Sequence, residues 1–237
     1  MERHGGLGKL PSPKTALAVI TGVMMLVDLY FIFMVAPTDS VLGHVQRVFY
    51  FHVPIAIMSF LAFFVVFICS IGYLIKRTPQ WDAIAHASAE VGVVFVTLAL
   101  LTGIIWARPV WNTWWTWEPR LTTTMILWLI YVAYLMVRSY APSQSKGAVY
   151  GAVLGIVGFV DVPIVYYSVV WWRSIHPSPV VGPFAQTGSL DGTMALILLY
   201  SFITFIFFFA YMVMERMELQ KTGEALGHIR FTLRRQA

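Results

Sequence analysis

Charge is what this sequence has least of. Asp, Glu, Lys and Arg make up 11% of its 237 residues while hydrophobic residues make up 59%, where a soluble domain is roughly a quarter charged. That shortage excludes a soluble enzyme and points to a chain built for lipid. Cysteine is scarcer still: Cys69 stands alone, which rules out an intramolecular disulfide, a CxxC redox pair and a thiolate metal site. Also missing are a phosphate loop, a nucleophile–base pair, a long linker, a low-complexity run and any block of charge that would mark a second domain.

What is there is apolar length. Crossing the hydrocarbon takes about 20 apolar residues per helix, and six stretches qualify, near 15–36, 53–75, 86–105, 121–137, 147–170 and 193–214. They are too long for barrel strands, which alternate over about ten residues. The first follows Arg3, Lys9 and Lys14 as a signal peptide would, but its apolar run is longer than a usual signal core and five more follow. It reads as a retained anchor. The expected fold is an all-α, integral membrane bundle of six transmembrane helices in one membrane domain spanning 1–237.

The net charge of +5 is a topology signal rather than a nucleic-acid one. Six spans put both termini and the loops near 76–85 and 138–146 on one side. Twelve Lys and Arg residues fall there, against four (Arg47, Arg108, Arg120 and Arg173) on the other. By the positive-inside rule both termini are cytoplasmic. The outer loops are then 37–52, 106–120 and 171–192, and they hold seven of the nine tryptophans.

Five of those indoles, Trp106, Trp111, Trp114, Trp115 and Trp117, crowd into WARPVWNTWWTWEPRL. If 111–118 is helical, Trp111, Trp114, Trp115 and Glu118 share one face, forming a short interfacial amphipathic element between the third and fourth spans. Pro109 would precede it and Pro119 would end it. An aromatic belt accounts for one or two indoles per helix end. The surplus is better explained by a flat aromatic ligand stacked on indole.

His52, in RVFYFHVP, and His176, in WWRSIHPSP, sit on the same outer face, each beside aromatic residues and a proline. Flanking the tryptophans, they are the expected axial ligands of a haem iron, with His44 a weaker candidate. His4, His86 and His228 read as solvated or interfacial. Arginine suits the two haem propionates: Arg47 and Arg120 lead, Arg108 and Arg173 follow, and headgroup contact or pairing with Glu118 is the plainer role for each. Asp28 and Asp161 lie within spans, where an acid is costly and usually faces the interior; a polar cavity, a proton path and simple polar pairing all remain open for them.

WARPVWNTWWTWEPRLT, RVFYFHVP and YYSVVWWRSIH, in that order and on one face, resemble the CcmC family of haem-handling membrane proteins, within the wider tryptophan-rich "WWD" group. The resemblance covers all six spans. It implies non-covalent, b-type haem held at the periplasmic face of the bacterial inner membrane by the tryptophan loop, His52 and His176. It also implies delivery to the haem chaperone CcmE, with CcmD and the ABC transporter CcmAB as partners and no catalytic turnover. The family motif normally ends in aspartate, where this chain has Glu118. Glu118 falls near the N-cap of the fourth span, but glutamate is a poorer N-cap than aspartate, so the family's capping role does not carry over to it as pairing with an arginine or a haem-bound partner does. The competing classes are an integral electron-transfer or quinone-linked haem protein, a small-molecule transporter using Asp28 and Asp161, and a structural subunit whose indoles dock a partner.

Overall fold

The computed structural model describes residues 12–183, 185 and 190–236, and within the last helix not the side chains of 224, 228, 230, 231 and 234–236. Arg3, His4, Lys9 and the side chains of His228, Arg230, Arg234 and Arg235 therefore lie outside the described residues. Among the described residues there are seven α-helices: α1 Pro13–Tyr30, α2 Phe49–Lys76, α3 Pro79–Trp111, α4 Pro119–Ser139, α5 Gln144–Phe159, α6 Asp161–Trp171 and α7 Gly192–Gln236. A π-turn, Phe31–Val35, continues α1, and a 3-10 turn, His44–Val48, leads into α2. Among the described residues there is no strand beyond an isolated bridge, Asp39 to Gly43.

Among the described residues six helical segments are long and apolar enough to cross a membrane: Pro13–Val35, His44–Lys76, Pro79–Trp111, Pro119–Ser139, Gln144–Trp171 and Gly192–Gly227. They coincide with the six stretches expected from sequence, and the chain is a multi-pass membrane protein. The fifth is broken into α5 and α6 at Val160. The cause is Pro163, which has no N–H to give the Phe159 carbonyl four residues back.

Local chemistry sets the ends. Ser12 accepts from the Thr15 N–H at 3.1 Å and Pro13 occupies the first turn of α1, where its missing N–H costs nothing. Arg77 and Asn112 close α2 and α3 in the left-handed region, each at φ 55. The α2–α3 pair packs tightly at Gly92, where a Cβ would lie 2.6 Å from Phe63 Cε1 and 2.9 Å from Ala62 Cβ. Small residues at such crossings let transmembrane backbones approach.

The centre of the bundle is aromatic and aliphatic. Phe63 of α2 stacks on Tyr131 of α4 with ring centroids 3.6 Å apart, surrounded by buried Val66, Val96, Leu127 and Tyr134. Trp128 of α4 donates to Thr97 Oγ1 of α3 at 2.9 Å. The outside is inverted relative to a soluble protein, with Val23, Leu26 and Met34 of the α1 segment 56%, 70% and 73% exposed, as a lipid-facing helix requires.

α1 docks on α7, where fully buried Asp28 accepts from Ser201 Oγ at 2.8 Å. Its other oxygen, and Oδ2 of buried Asp161, have no partner among the described residues. Asp28 thus has a polar partner on the neighbouring helix.

Charges gather and pair at one end. Arg138 of α4 grips Asp82 of α3 through two bonds of 2.5 and 2.8 Å. Arg216 of α7 grips Glu90 of α3 at 2.6 and 2.5 Å, and Lys14 reaches Glu215 and Glu218 at 3.0 and 2.5 Å. The start of α1 and the later part of α7 are therefore on one side, with His86 beside Glu90, and His52, His176 and the tryptophans of 106–117 are at the other.

Candidate functional site

At the end opposite the ion pairs, the start of α2, the end of α3, the start of α4, α6 and the segment 176–181 surround one cleft. It encloses about 1140 Å³ counting its open mouth. Its walls are mainly apolar, with Phe49, Val53, Phe60, Leu100, Ile104 and Leu121 among them. Of the residues singled out by sequence, His52, His176, Trp106, Trp111, Trp115 and Arg120 all line it. Four other candidates, Trp114, Trp117, Glu118 and Arg47, do not form part of that lining.

The helical reading of 111–118 is corrected here. α3 runs on through Pro109 to Trp111, Asn112 turns left-handed, and 113–118 are not helical. The Arg108 guanidinium fixes that turn by donating to the Asn112 carbonyl at 2.7 Å and to its side-chain oxygen. The four residues expected on one helical face are consequently split. Trp111 and Trp115 turn to the cleft, while Trp114 and Trp117 are 58% and 73% exposed, Trp114 lying under the Arg108 cation at 5.9 Å.

The rings form a continuous arc. His52 lies 6.3 Å from Trp106, Trp106 lies 6.2 Å from Trp111, and Trp111 lies 6.4 Å from His176, centroid to centroid. The two imidazoles thus stand at the ends of an indole pair. Each is oriented through the same nitrogen. Thr102 Oγ1 donates to the Leu98 carbonyl at 2.7 Å and lies 2.8 Å from His52 Nδ1. A hydroxyl has a single proton; with it directed at the carbonyl, Oγ1 must accept, so His52 carries its proton on Nδ1. His176 Nδ1 lies 3.0 Å from the Pro177 carbonyl, which can only accept, so it too is protonated there. In both rings the lone pair is left on Nε2, the arrangement of a metal-ligating histidine with an anchored second nitrogen.

Gly103 completes the His52 anchor, since a Cβ there would sit 3.3 Å from its Cε1. Burial, aided by the Arg120 guanidinium, pushes the His176 imidazole down to about 4, although its bond to Pro177 acts the other way. His176 is therefore neutral at pH 7 and able to act as a ligand. Arg120 donates to the Tyr166 carbonyl at 2.7 Å, leaving its buried Nε without a partner among the described residues. The indole N–H groups of Trp106 and Trp115 are in the same position. Three unanswered donors, two neutral imidazoles and an apolar slot fit a flat metal macrocycle carrying carboxylates.

The sequence matches the family described as CcmC, heme exporter protein C, over residues 11–226. The chain belongs to the CcmC family. Among relatives, the heme exporter protein C of Bradyrhizobium diazoefficiens is 36% identical over 193 residues, covering 81% of this chain and 73% of that one. The protein of the same name from Haemophilus influenzae is 32% identical over 206 residues, 86% of this chain and 83% of that one. The Escherichia coli K12 protein, also heme exporter protein C, is 30% identical over 201 residues, 85% and 80% respectively.

Within this CcmC-family chain, three neighbours of the site escaped sequence reasoning. Thr102 looks like any threonine in an apolar helix, whose hydroxyl usually returns to the carbonyl four residues back; only the packing of α2 on α3 brings His52 to it. Tyr166 straps the far wall by donating to the Val181 carbonyl at 2.9 Å. Ser174 accepts from the His176 N–H at 3.0 Å, and its spacing two residues ahead was the one available signal.

Proposed function

We propose that this chain binds haem in the arc between His52 and His176 at the periplasmic face of the bacterial inner membrane and presents it to a haem chaperone. The observation that carries this reading is the pair of imidazoles at the ends of the Trp106–Trp111 arc, each with Nδ1 anchored and Nε2 open. His52 and His176 are the axial ligands, and the haem is b-type and non-covalent. Trp106, Trp111 and Trp115 form the stacking wall. Arg120 pairs with a propionate, and Arg47, whose buried Nε is also unpartnered among the described residues, serves the second as the less direct candidate.

Haem here is cargo. The chain's own work is to bind it, orient its plane and keep it out of water, without turnover. Its partners, on the family resemblance, are CcmE as acceptor, with CcmD and CcmAB. The excess of Lys and Arg at the ion-paired end supports cytoplasmic termini and hence a periplasmic site within a single membrane domain.

The test is spectroscopic. Protein purified in detergent should show a six-coordinate low-spin haem spectrum, weakened by His52→Ala and by His176→Ala. Protein that neither carries nor accepts haem refutes the assignment; an unchanged spectrum in both variants moves the ligands elsewhere.

A further inference from the structure

The two histidines are held by different kinds of scaffold. His52 stands on a helix and is anchored to a second helix. His176 lies in non-helical chain after α6, and among the described residues its ring bonds only to the carbonyl of its own neighbour. What ties its backbone to the bundle is a relay. The His176 N–H donates to Ser174 Oγ at 3.0 Å, the Ser174 hydroxyl donates to Glu118 Oε2, and Glu118 Oε1 accepts from the Leu121 N–H at 2.7 Å. Glu118 is only 9% exposed and forms no ion pair among the described residues. The donors are fully allotted: the serine oxygen accepts one proton and gives its own, and the carboxylate accepts once on each oxygen.

Glu118 therefore caps α4 after all. Aspartate caps through a shorter side chain; the extra methylene lets one glutamate oxygen stay on the helix end while the other reaches a different segment of chain. Resting on the haem reading above, we infer that Glu118 acts through Ser174 as the positioning residue for His176, holding that ligand against the cleft while itself touching no haem. The Trp111 ring lies 6.4 Å from the His176 ring, so the relay sets the backbone and the indole flanks the ring.

The experiment uses full-length protein loaded with haem, reduced, and mixed with CO, which binds only where an axial position opens. Ser174→Ala removes the link and leaves the cap. It is expected to raise the CO-accessible fraction roughly tenfold or more, the effect of losing a charge-assisted hydrogen bond, while thermal unfolding of the haem-free protein stays near wild type. Ser174→Thr, which retains the hydroxyl, should restore wild-type behaviour. If Ser174→Ala cannot be recovered from membranes, Glu118→Gln replaces it: the amide oxygen keeps the Leu121 cap and only the Ser174 contact weakens. Wild-type CO binding in Ser174→Ala, or in Glu118→Gln where that is the variant measured, overturns the proposal. A wild-type protein without six-coordinate haem removes the haem reading itself, an outcome distinct from a six-coordinate wild type with unmoved variants.

Discussion

Replacing Thr102 by valine should loosen haem without disturbing the fold. Valine has nearly the shape of threonine and the same branched Cβ, so its rotamer in α3 is retained. The Leu98 carbonyl loses only a second bond, from a hydroxyl 2.7 Å away, since the helix ladder still uses it. The His52 Nδ1–H loses the acceptor 2.8 Å away. An unpaired buried donor costs about 1–3 kcal/mol, and removal of a histidine's outer partner typically weakens metal binding by roughly 10–100-fold. The two ranges overlap at about tenfold to hundredfold, since a tenfold change in Kd is about 1.4 kcal/mol. Haem titrated into detergent-purified protein and followed at the Soret band gives Kd for wild type, Thr102→Val and Thr102→Ser. The serine variant keeps the hydroxyl and should bind as wild type does. A valine variant with unaltered affinity and spectrum would refute the tautomer argument, because Nδ1 would then not need its acceptor.

The tryptophans should divide as the cleft divides them. Trp106→Ala and Trp111→Ala are each expected to lower haem affinity by roughly two- to tenfold, the effect of a lost aromatic stack, whereas Trp114→Ala, whose indole is 58% exposed, should leave Kd unchanged in the same titration. Asp82→Asn strands the Arg138 guanidinium, whose side chain is 9% exposed. Losing one partner of a buried pair costs about 3–5 kcal/mol, and a lower detergent Tm with unchanged haem spectrum is the expected result. Haem-free protein should lose stability as pH falls from about 6.5 towards about 4. Over that window the unfolded chain protonates His176 and the folded chain does not; His176→Gln should flatten this part of a pH–Tm curve.

Much of this site can be read from the sequence because its loudest signals are compositional. Indole crowding, the two His-Pro neighbourhoods and the Arg/Lys asymmetry need no geometry to be noticed, and His52, His176, Trp106, Trp111, Trp115 and Arg120 do meet in one cleft. Spacing was less informative. The helical face drawn through Trp111, Trp114, Trp115 and Glu118 fails at Asn112, where a φ of 55 supported by Arg108 ends the helix. A single residue in the left-handed region reorients everything after it, and asparagine signals that option only weakly. Glu118 shows the converse. Its propensity argues against a cap, yet tertiary contact with Ser174, 56 residues away, holds it in place. Partners that distant in sequence leave no local pattern, which is also why Thr102 gave no sign of its role.

α3 has a mechanical consequence. Its 33 residues make a rod about 50 Å long at 1.5 Å per residue, with Asp82 near one end and Thr102, Trp106 and Trp111 towards the other. α4 runs alongside, carrying Arg138 at the far end and Glu118, with the His176 relay, at the near one. Between them the Trp128–Thr97 bond and the buried Val96 and Leu127 hold the rods together. The pair is laid out as pliers: the Asp82–Arg138 bond clasps the handles, the midpoint contact is the pivot, and the jaws carry the indoles and the His176 relay. Because the pivot lies between them, loosening the clasp at the handles costs stability while the jaws keep their bite around the cleft.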